Sequence, residues 1–156
     1  MKSVLFDFKT AKQNWFQDVS ELYAKKINAF CDFEIITLKT LKQGREESSA
    51  KIKFEEAQLI HQIKSEDFVI LFDEMGLDLT SIQFCKELEK ITISGKKRTV
   101  FIVGGPYGVS ENIKMKAHLK VSLSKMVLNH LVAETVVLEQ IYRAMTIQNR
   151  IPYHNI

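Results

Sequence analysis

The chain is poor in the residues that hold small secreted or membrane proteins together. It has two cysteines, Cys31 and Cys85, in 156 residues, too few for a disulfide framework or a cysteine-based zinc site, and both are expected as reduced thiols. Two prolines and six glycines leave no low-complexity linker, and no repeat is visible, so residues 1–156 are expected to form one domain. No apolar run approaches the roughly 20 residues of a membrane helix. Asp7 interrupts the first apolar run and no small-residue cleavage site follows, so neither a membrane span nor a secretory leader is expected, and the reading is a cytoplasmic protein. Histidine is also sparse. His61, His118, His130 and His154 show no metal-binding spacing such as HExxH, so no metal is expected, and no Ser-His-Asp or paired-carboxylate arrangement is legible from spacing.

What is present is an ordinary globular composition, 46% hydrophobic and 26% charged, with a net charge of only +3. The charge is unevenly spread. Residues 1–95 carry 13 Lys or Arg against 16 Asp or Glu, whereas residues 96–156 carry 9 against 3. The basic character therefore lies in the last third, as a solvated surface or as a face for an anionic partner.

Hydrophobic periodicity predicts alternating strands and helices. Residues 3–8 form a short apolar run, and 15–30 place Phe16, Val19, Leu22, Tyr23, Ile27 and Phe30 at helical spacings. Residues 33–38 read as a strand, 43–49 as a polar loop and 52–63 as a weak helix. The run DFVILF, 67–72, is apolar throughout, as in a strand covered on both faces of a parallel sheet. Thr80 or Ser81 caps the next helix, Gly95 ends it, and 99–103 is a second buried strand. Ser110 caps a short helix over 111–118, residues 119–123 form the last strand, and 131–147 is a helix apolar around most of its circumference, which needs more than one neighbour to cover it. The expected fold class is α/β, with a mainly parallel sheet of about five strands and helices on both faces.

Two loops follow the last two strands. Val103 runs into Gly104-Gly105-Pro106-Tyr107-Gly108, at the carboxyl end of a strand where open α/β sheets place ligands. Its spacing matches neither the dinucleotide fingerprint nor a P-loop, so it reads either as a tight turn or as a close backbone approach to a cofactor. The segment Leu123-Ser124-Lys125-Met126-Val127-Leu128 lies beside it, as a plain connection or as a wall that recognises an adenine ring through main-chain groups. On the final helix Glu139 precedes Arg143 by four residues, a surface ion pair or a cation held for phosphate or a developing anion. Tyr142 beside it is suited to stack on a base. The tail adds Tyr153 and His154, as a frayed end or as part of a site.

GGPYG, then SLSKM with His130, then LEQIYRA, then PYH at the end resemble the ribosomal large subunit methyltransferase H family of SPOUT methyltransferases. The similarity extends through TAKQNWFQDVSELYAKKI and FEIITL to the whole chain. It implies a carboxyl-terminal deep trefoil knot, a homodimer, and S-adenosylmethionine bound in the knot loops. It further implies methylation of N3 of a pseudouridine in helix 69 of 23S rRNA on the assembled ribosome. Carried over residue by residue, the cofactor site falls on Phe72, Gly104, Gly105, Gly108, Leu123, Ser124, Lys125, Met126, Val127 and Leu128. Catalysis falls on Tyr142, Arg143, Tyr153 and His154. Among these His154 is the natural base for the imide proton, since histidine is the side chain that changes charge near neutral pH.

The chain departs from the family pattern at Phe8, where the family has glycine, and at Val127-Leu128-Asn129-His130, where it has Thr-x-Pro-His. Glu134 stands where the family has arginine, and Asn155 where it has a basic residue. The last two changes predict a weaker RNA-facing charge. They leave room for a SPOUT enzyme with a shifted RNA target, or for a knotted dimer that binds ribosomes during assembly without turnover.

Overall fold

The computed structural model describes residues 1–8, 13–41, 48–104 and 107–155. Along the chain run β1 (Lys2–Phe8), α1 (Asn14–Asn28), β2 (Asp32–Leu38), α2 (Ser48–Gln62) and β3 (Asp67–Asp78). They are followed by α3 (Ser81–Ile93), β4 (Arg98–Val103), α4 (Glu111–Lys116), β5 (Leu119–Ser122) and α5 (His130–Gln148). The five strands form one sheet in the order β2-β1-β4-β3-β5, and every pairing is parallel. The expected α/β class, with about five parallel strands, is the observed one.

Alternation along the central strands, buried on both faces, explains the unbroken apolar runs of β3 at 68–72 and of β4 at 100–103. Leu5 of β1, Ile70 and Phe72 of β3, and Phe101 and Val103 of β4 face one side. There they meet Ile27 of α1, Phe84, Leu88 and Ile91 of α3, and Val137, Leu138 and Ile141 of α5. Val4, Phe6 and Phe8, Val69 and Leu71, and Val100 and Ile102 face the other side with Leu59 of α2 and Ile113 of α4. Helix α5 packs against both α1 and α3 as well as the sheet. That triple cover is what its apolar circumference requires.

Local chemistry fixes the joints. Asn28 accepts from the Phe33 backbone N–H (3.0 Å) and donates to the Phe33 carbonyl (2.7 Å), tying the end of α1 to β2. Thr80, rather than Ser81, caps α3, in a reciprocal capping box with Gln83. Ser81 instead donates to Gln140 Oε1 at 2.6 Å and joins α3 to α5.

Several boundaries differ from the sequence reading. The loop expected over 43–49 falls mostly outside the described residues, but Ser48 and Ser49 belong to α2, which starts earlier than residue 52. Helix α4 stops at Lys116, not residue 118. The His118 backbone N–H donates to the Val69 carbonyl (2.9 Å) and His118 Nδ1 accepts from the Val69 N–H (3.0 Å), so the chain has already turned toward β3. Strand β5 ends at Ser122, and Leu123 opens the loop beyond it. The largest difference is β3, which continues past Phe72 to Asp78. Both Phe72 and Leu77 pair with Val121, so residues 73–76 loop out of the ladder between them. Glycine is required at the return: a Cβ on Gly76 would lie 2.6 Å from the Val121 backbone nitrogen.

Candidate functional site

The carboxyl ends of β3, β4 and β5 open onto a cleft of about 820 Å³, including its mouth to solvent. Phe72 and Val103, neighbours in the sheet register, form its base. Gly104 and Gly108 form one wall and the segment after β5 the other. Gly108 adopts a φ of +76°, in the left-handed region that glycine enters freely. A Cβ on Gly104 would press on Val109 Cγ1 at 3.3 Å and on the Gly108 backbone at 3.4 Å. These two loop glycines therefore bring the backbone itself to the cleft. In the opposite wall, Ser124 Oγ accepts from the Met126 N–H (2.9 Å) and its carbonyl accepts from Ser122 Oγ (3.2 Å), which curls the loop before α5. Asn129, in place of the family's proline, caps α5 by accepting from the Leu131 N–H at 3.0 Å.

Eight of the ten residues expected to hold a cofactor line this cleft: Phe72, Gly104, Gly108, Leu123, Ser124, Met126, Val127 and Leu128. Met126 and Val127 are 78% and 88% exposed, apolar side chains left open at the rim. Lys125 is not among the lining residues; its ammonium pairs with Asp78 at 3.2 Å on the surface. Gly105 lies outside the described residues. Sequence reasoning missed Asp73, Glu74, Val109, His130 and Ala133, which also line the cleft. The two acids arrive there because β3 loops out after Phe72, and the only trace in the sequence is an acidic pair followed closely by a glycine at the end of a buried strand.

Beneath the cleft is a polar cluster in a dry place. His130 Nδ1 lies 2.9 Å from the Gly104 carbonyl; a carbonyl only accepts, so Nδ1 carries a proton, and Nε2 faces the other way, toward two carboxyl groups. Nε2 lies 3.6 Å from Glu134 Oε1 and 3.9 Å from Asp7 Oδ1. Glu134 is 0% exposed, and burial together with the nearby Asp7 carboxylate pushes its carboxyl up to about 10. Glu134 was expected to weaken an RNA-facing surface; the structure corrects this, since the side chain points into the protein and meets no solvent.

The four residues expected to be catalytic come together around the other end of α5. Arg143 donates to Glu139 Oε1 from Nε (3.0 Å) and Nη2 (2.6 Å), and its Nη1 lies 3.2 Å from His154 Nδ1. Tyr153 donates to the same Glu139 oxygen at 3.0 Å and lies under the guanidinium, 4.7 Å from its carbon. Tyr142 packs edge-on against Tyr153 with ring centroids 4.8 Å apart, and the Lys26 ammonium sits 5.1 Å from the Tyr142 ring. The hydrogen bond and charge of Glu139 raise the Arg143 pKa. Burial and hydrogen bonds to Tyr23 and Glu139 raise that of Tyr153.

The tail is held rather than frayed. The Ile151 N–H bonds to the Thr146 carbonyl (2.9 Å) and the Arg150 N–H to the Ile147 carbonyl (3.1 Å). This is a Schellman ending with Arg150 in the left-handed position at φ +55°. Within one chain the cluster is remote from the cleft. Arg143 lies thirteen helical steps along α5 from His130, about 20 Å at the helical rise.

A family model described as "Predicted SPOUT methyltransferase" matches residues 1–154. The chain is 51% identical over 156 residues, the full length of both, to the ribosomal RNA large subunit methyltransferase H of Bdellovibrio bacteriovorus. It is 38% identical over 156 residues, 99% of each chain, to the protein of that name from Parabacteroides distasonis. With that from Streptococcus pneumoniae it shares 37% over 147 residues, 92% of each chain.

Proposed function

Since the chain belongs to the SPOUT methyltransferase family, we propose that it methylates ribosomal RNA in the cytoplasm. In this reading the donor is S-adenosylmethionine and the acceptor is N3 of a pseudouridine in helix 69 of 23S rRNA on the assembled ribosome. The observation that carries the reading is the division of labour along α5: its first turn borders a cleft suited to the donor, and its last turns hold a cation, an imidazole and two phenols suited to a nucleotide.

The cleft residues fit S-adenosylmethionine. Phe72, Leu123 and Leu128 offer apolar surface for adenine, and the backbone of residues 123–128 offers donors and acceptors for its edge. Asp73 and Glu74 are placed at the cleft, where carboxylates favour a cationic ligand with hydroxyl groups. Bound there, the cofactor supplies an electrophilic methyl on a positively charged sulfur.

The remaining work falls to the chain's own groups. N3 of pseudouridine carries an imide proton that must leave before the nitrogen can act as a nucleophile. Arg143 only donates, so His154 accepts at Nδ1 while the two are in contact. When Arg143 turns to a phosphate or to the imide oxygen, Nδ1 is released to take the proton, and Arg143 then faces the negative charge left behind. Tyr142 and Tyr153 provide faces on which the base can stack.

The 20 Å between cleft and cluster calls for a second copy of the chain. In a homodimer, one protomer's α5 end and tail complete the partner's cleft, so each active site is composite. The carboxyl-terminal trefoil knot implied by the family resemblance belongs to the same reading, with the cleft walls as its loops.

Mass spectrometry of 23S rRNA from cells with and without the gene tests the proposal. One methyl group lost from helix 69, and restored to isolated ribosomes by the purified protein with S-adenosylmethionine, is the expected result. Unchanged methylation of helix 69 overturns it, and loss of a methyl elsewhere in the rRNA overturns the target.

A further inference from the structure

We propose that Asp7, His130 and Glu134 form a binding site for one divalent transition-metal ion of the zinc class, beneath the cleft. One ligand atom from each residue can be chosen so that all three lie within 4.8 Å of one another. They come from the end of β1 and the first turns of α5, so the sequence gives no spacing that would betray them.

The cluster gathers buried acceptors that, among the described residues, no N–H, hydroxyl or cation from outside the cluster meets. Asp7 Oδ1, His130 Nε2 and both Glu134 carboxylate oxygens are buried, and among the described residues no group outside the cluster bonds to them. Glu134 is wholly buried, and the His130 side chain is 7% exposed. Acceptors left unpaired in a dry site carry the cost of lost hydration, which a shared cation at their centre would offset.

The spacing agrees with an ion. The Nε2 separations of 3.6 and 3.9 Å from the two carboxylates are too long for hydrogen bonds. They approach the roughly 3.4 Å between two ligands of a tetrahedral ion bound at about 2.0–2.1 Å from each. The ring orientation agrees as well. The Gly104 carbonyl accepts from Nδ1, which turns Nε2 into the cluster and supplies the outer hydrogen bond that metal-bound histidines usually have. One imidazole with two carboxylates suits zinc, cobalt or manganese better than calcium or magnesium, which favour all-oxygen shells with retained water. His130 borders the cleft, which gives the ion a way in and leaves a fourth position for water. Bound there, the ion would link β1, α5 and, through His130, the Gly104 turn.

The test uses the full chain, stripped with a chelator and titrated with Co²⁺, whose visible absorption reports tetrahedral coordination, followed by displacement with Zn²⁺. Expected are one ion per chain, a rise in melting temperature on zinc addition, and at least a tenfold loss of affinity in Asp7→Asn and in Glu134→Gln. A Cys31→Ser variant, removing the partly exposed thiol, should bind as the parent does. Should a carboxylate variant fail to fold, the parent's stoichiometry and zinc-dependent melting shift decide. A folded parent protein that takes up no cobalt or zinc at micromolar excess overturns the proposal and leaves a proton shared between Asp7 and Glu134. Binding that survives both carboxylate changes, or that disappears in Cys31→Ser, overturns it too.

Discussion

Arg143 and His154 lie 3.2 Å apart, guanidinium Nη1 to imidazole Nδ1, with Arg143 anchored on its other side by two hydrogen bonds to Glu139. The pair is therefore set by a carboxylate one turn back on α5, and the imidazole turns Nδ1 toward the guanidinium. Removing Arg143 should cost more than removing a single hydrogen bond, because the same group binds an anion and positions His154. We expect Arg143→Ala to lower kcat for ribosome methylation by about 10²–10³-fold, with Arg143→Lys intermediate because a point charge cannot make both contacts. His154→Ala should lower kcat by a comparable factor with a small change in the apparent KM for the cofactor. Transfer of labelled methyl groups to isolated ribosomes measures both, and full activity of His154→Ala removes His154 as the base.

Much of this was legible in the sequence, and the reasons differ by element. The central strands were visible because burial on both faces leaves apolar runs at residues 68–72 and 100–103, and α5 because it is apolar around most of its circumference. The cleft loops were readable because they follow strand ends. What could not be read came from contacts between distant segments. The Asp73 and Glu74 excursion depends on β5 pairing twice at Val121, and Glu134 meets Asp7, from the other end of the chain, only in the fold. A residue-by-residue comparison with the family marks Glu134 as a lost cation, yet only the packing shows that it faces inward.

Gly76 should be intolerant of any side chain. Its missing Cβ is replaced by the backbone of Val121 and Lys120 at 2.6–2.7 Å, and backbone in a sheet cannot move aside as a flexible side chain can. Gly76→Ala should destabilise the protein by about 1–3 kcal/mol, the usual cost of overpacking, and lower cofactor affinity by displacing Asp73 and Glu74. Urea denaturation and calorimetric titration of S-adenosylmethionine read the two effects. An unchanged denaturation midpoint would show that β3 does not approach β5 this closely.

Arg150 occupies a backbone conformation that disfavours it. At φ +55° it holds the Schellman position that glycine fills most readily, and it is exposed. Arg150→Gly should leave the tail in place and stabilise the protein by up to about 1 kcal/mol. Arg150→Pro should do the reverse, because it fixes φ near −65° and removes the N–H that bonds to Ile147. Differential scanning calorimetry should show shifts of opposite sign in the melting temperature.

Acid should weaken the protein through Asp67. This carboxylate, 1% exposed as a residue, accepts from Arg98 Nε (2.8 Å), Arg98 Nη2 (2.6 Å) and the Lys64 N–H (2.7 Å) at the start of β3. Burial acts to raise its pKa, but the Arg98 fork and the Lys64 amide outweigh it and hold the carboxyl below its ordinary value. A carboxyl whose folded pKa lies below its unfolded one binds fewer protons in the native state. Its contribution is complete above the unfolded value, about pH 4, and is lost as pH falls through the folded one. Asp67→Asn keeps the shape, abolishes the charge and leaves Arg98 facing a neutral amide, with a second bond to the Gln62 carbonyl (2.8 Å) still available. It should cost roughly 2 kcal/mol at pH 7, less than full loss of a buried partner because Arg98 keeps that bond and some contact with water. Urea melts from pH 7 to pH 3 should show the gap between variant and parent closing below about pH 4. A gap that stays constant across that range would mean that the Asp67 charge contributes nothing.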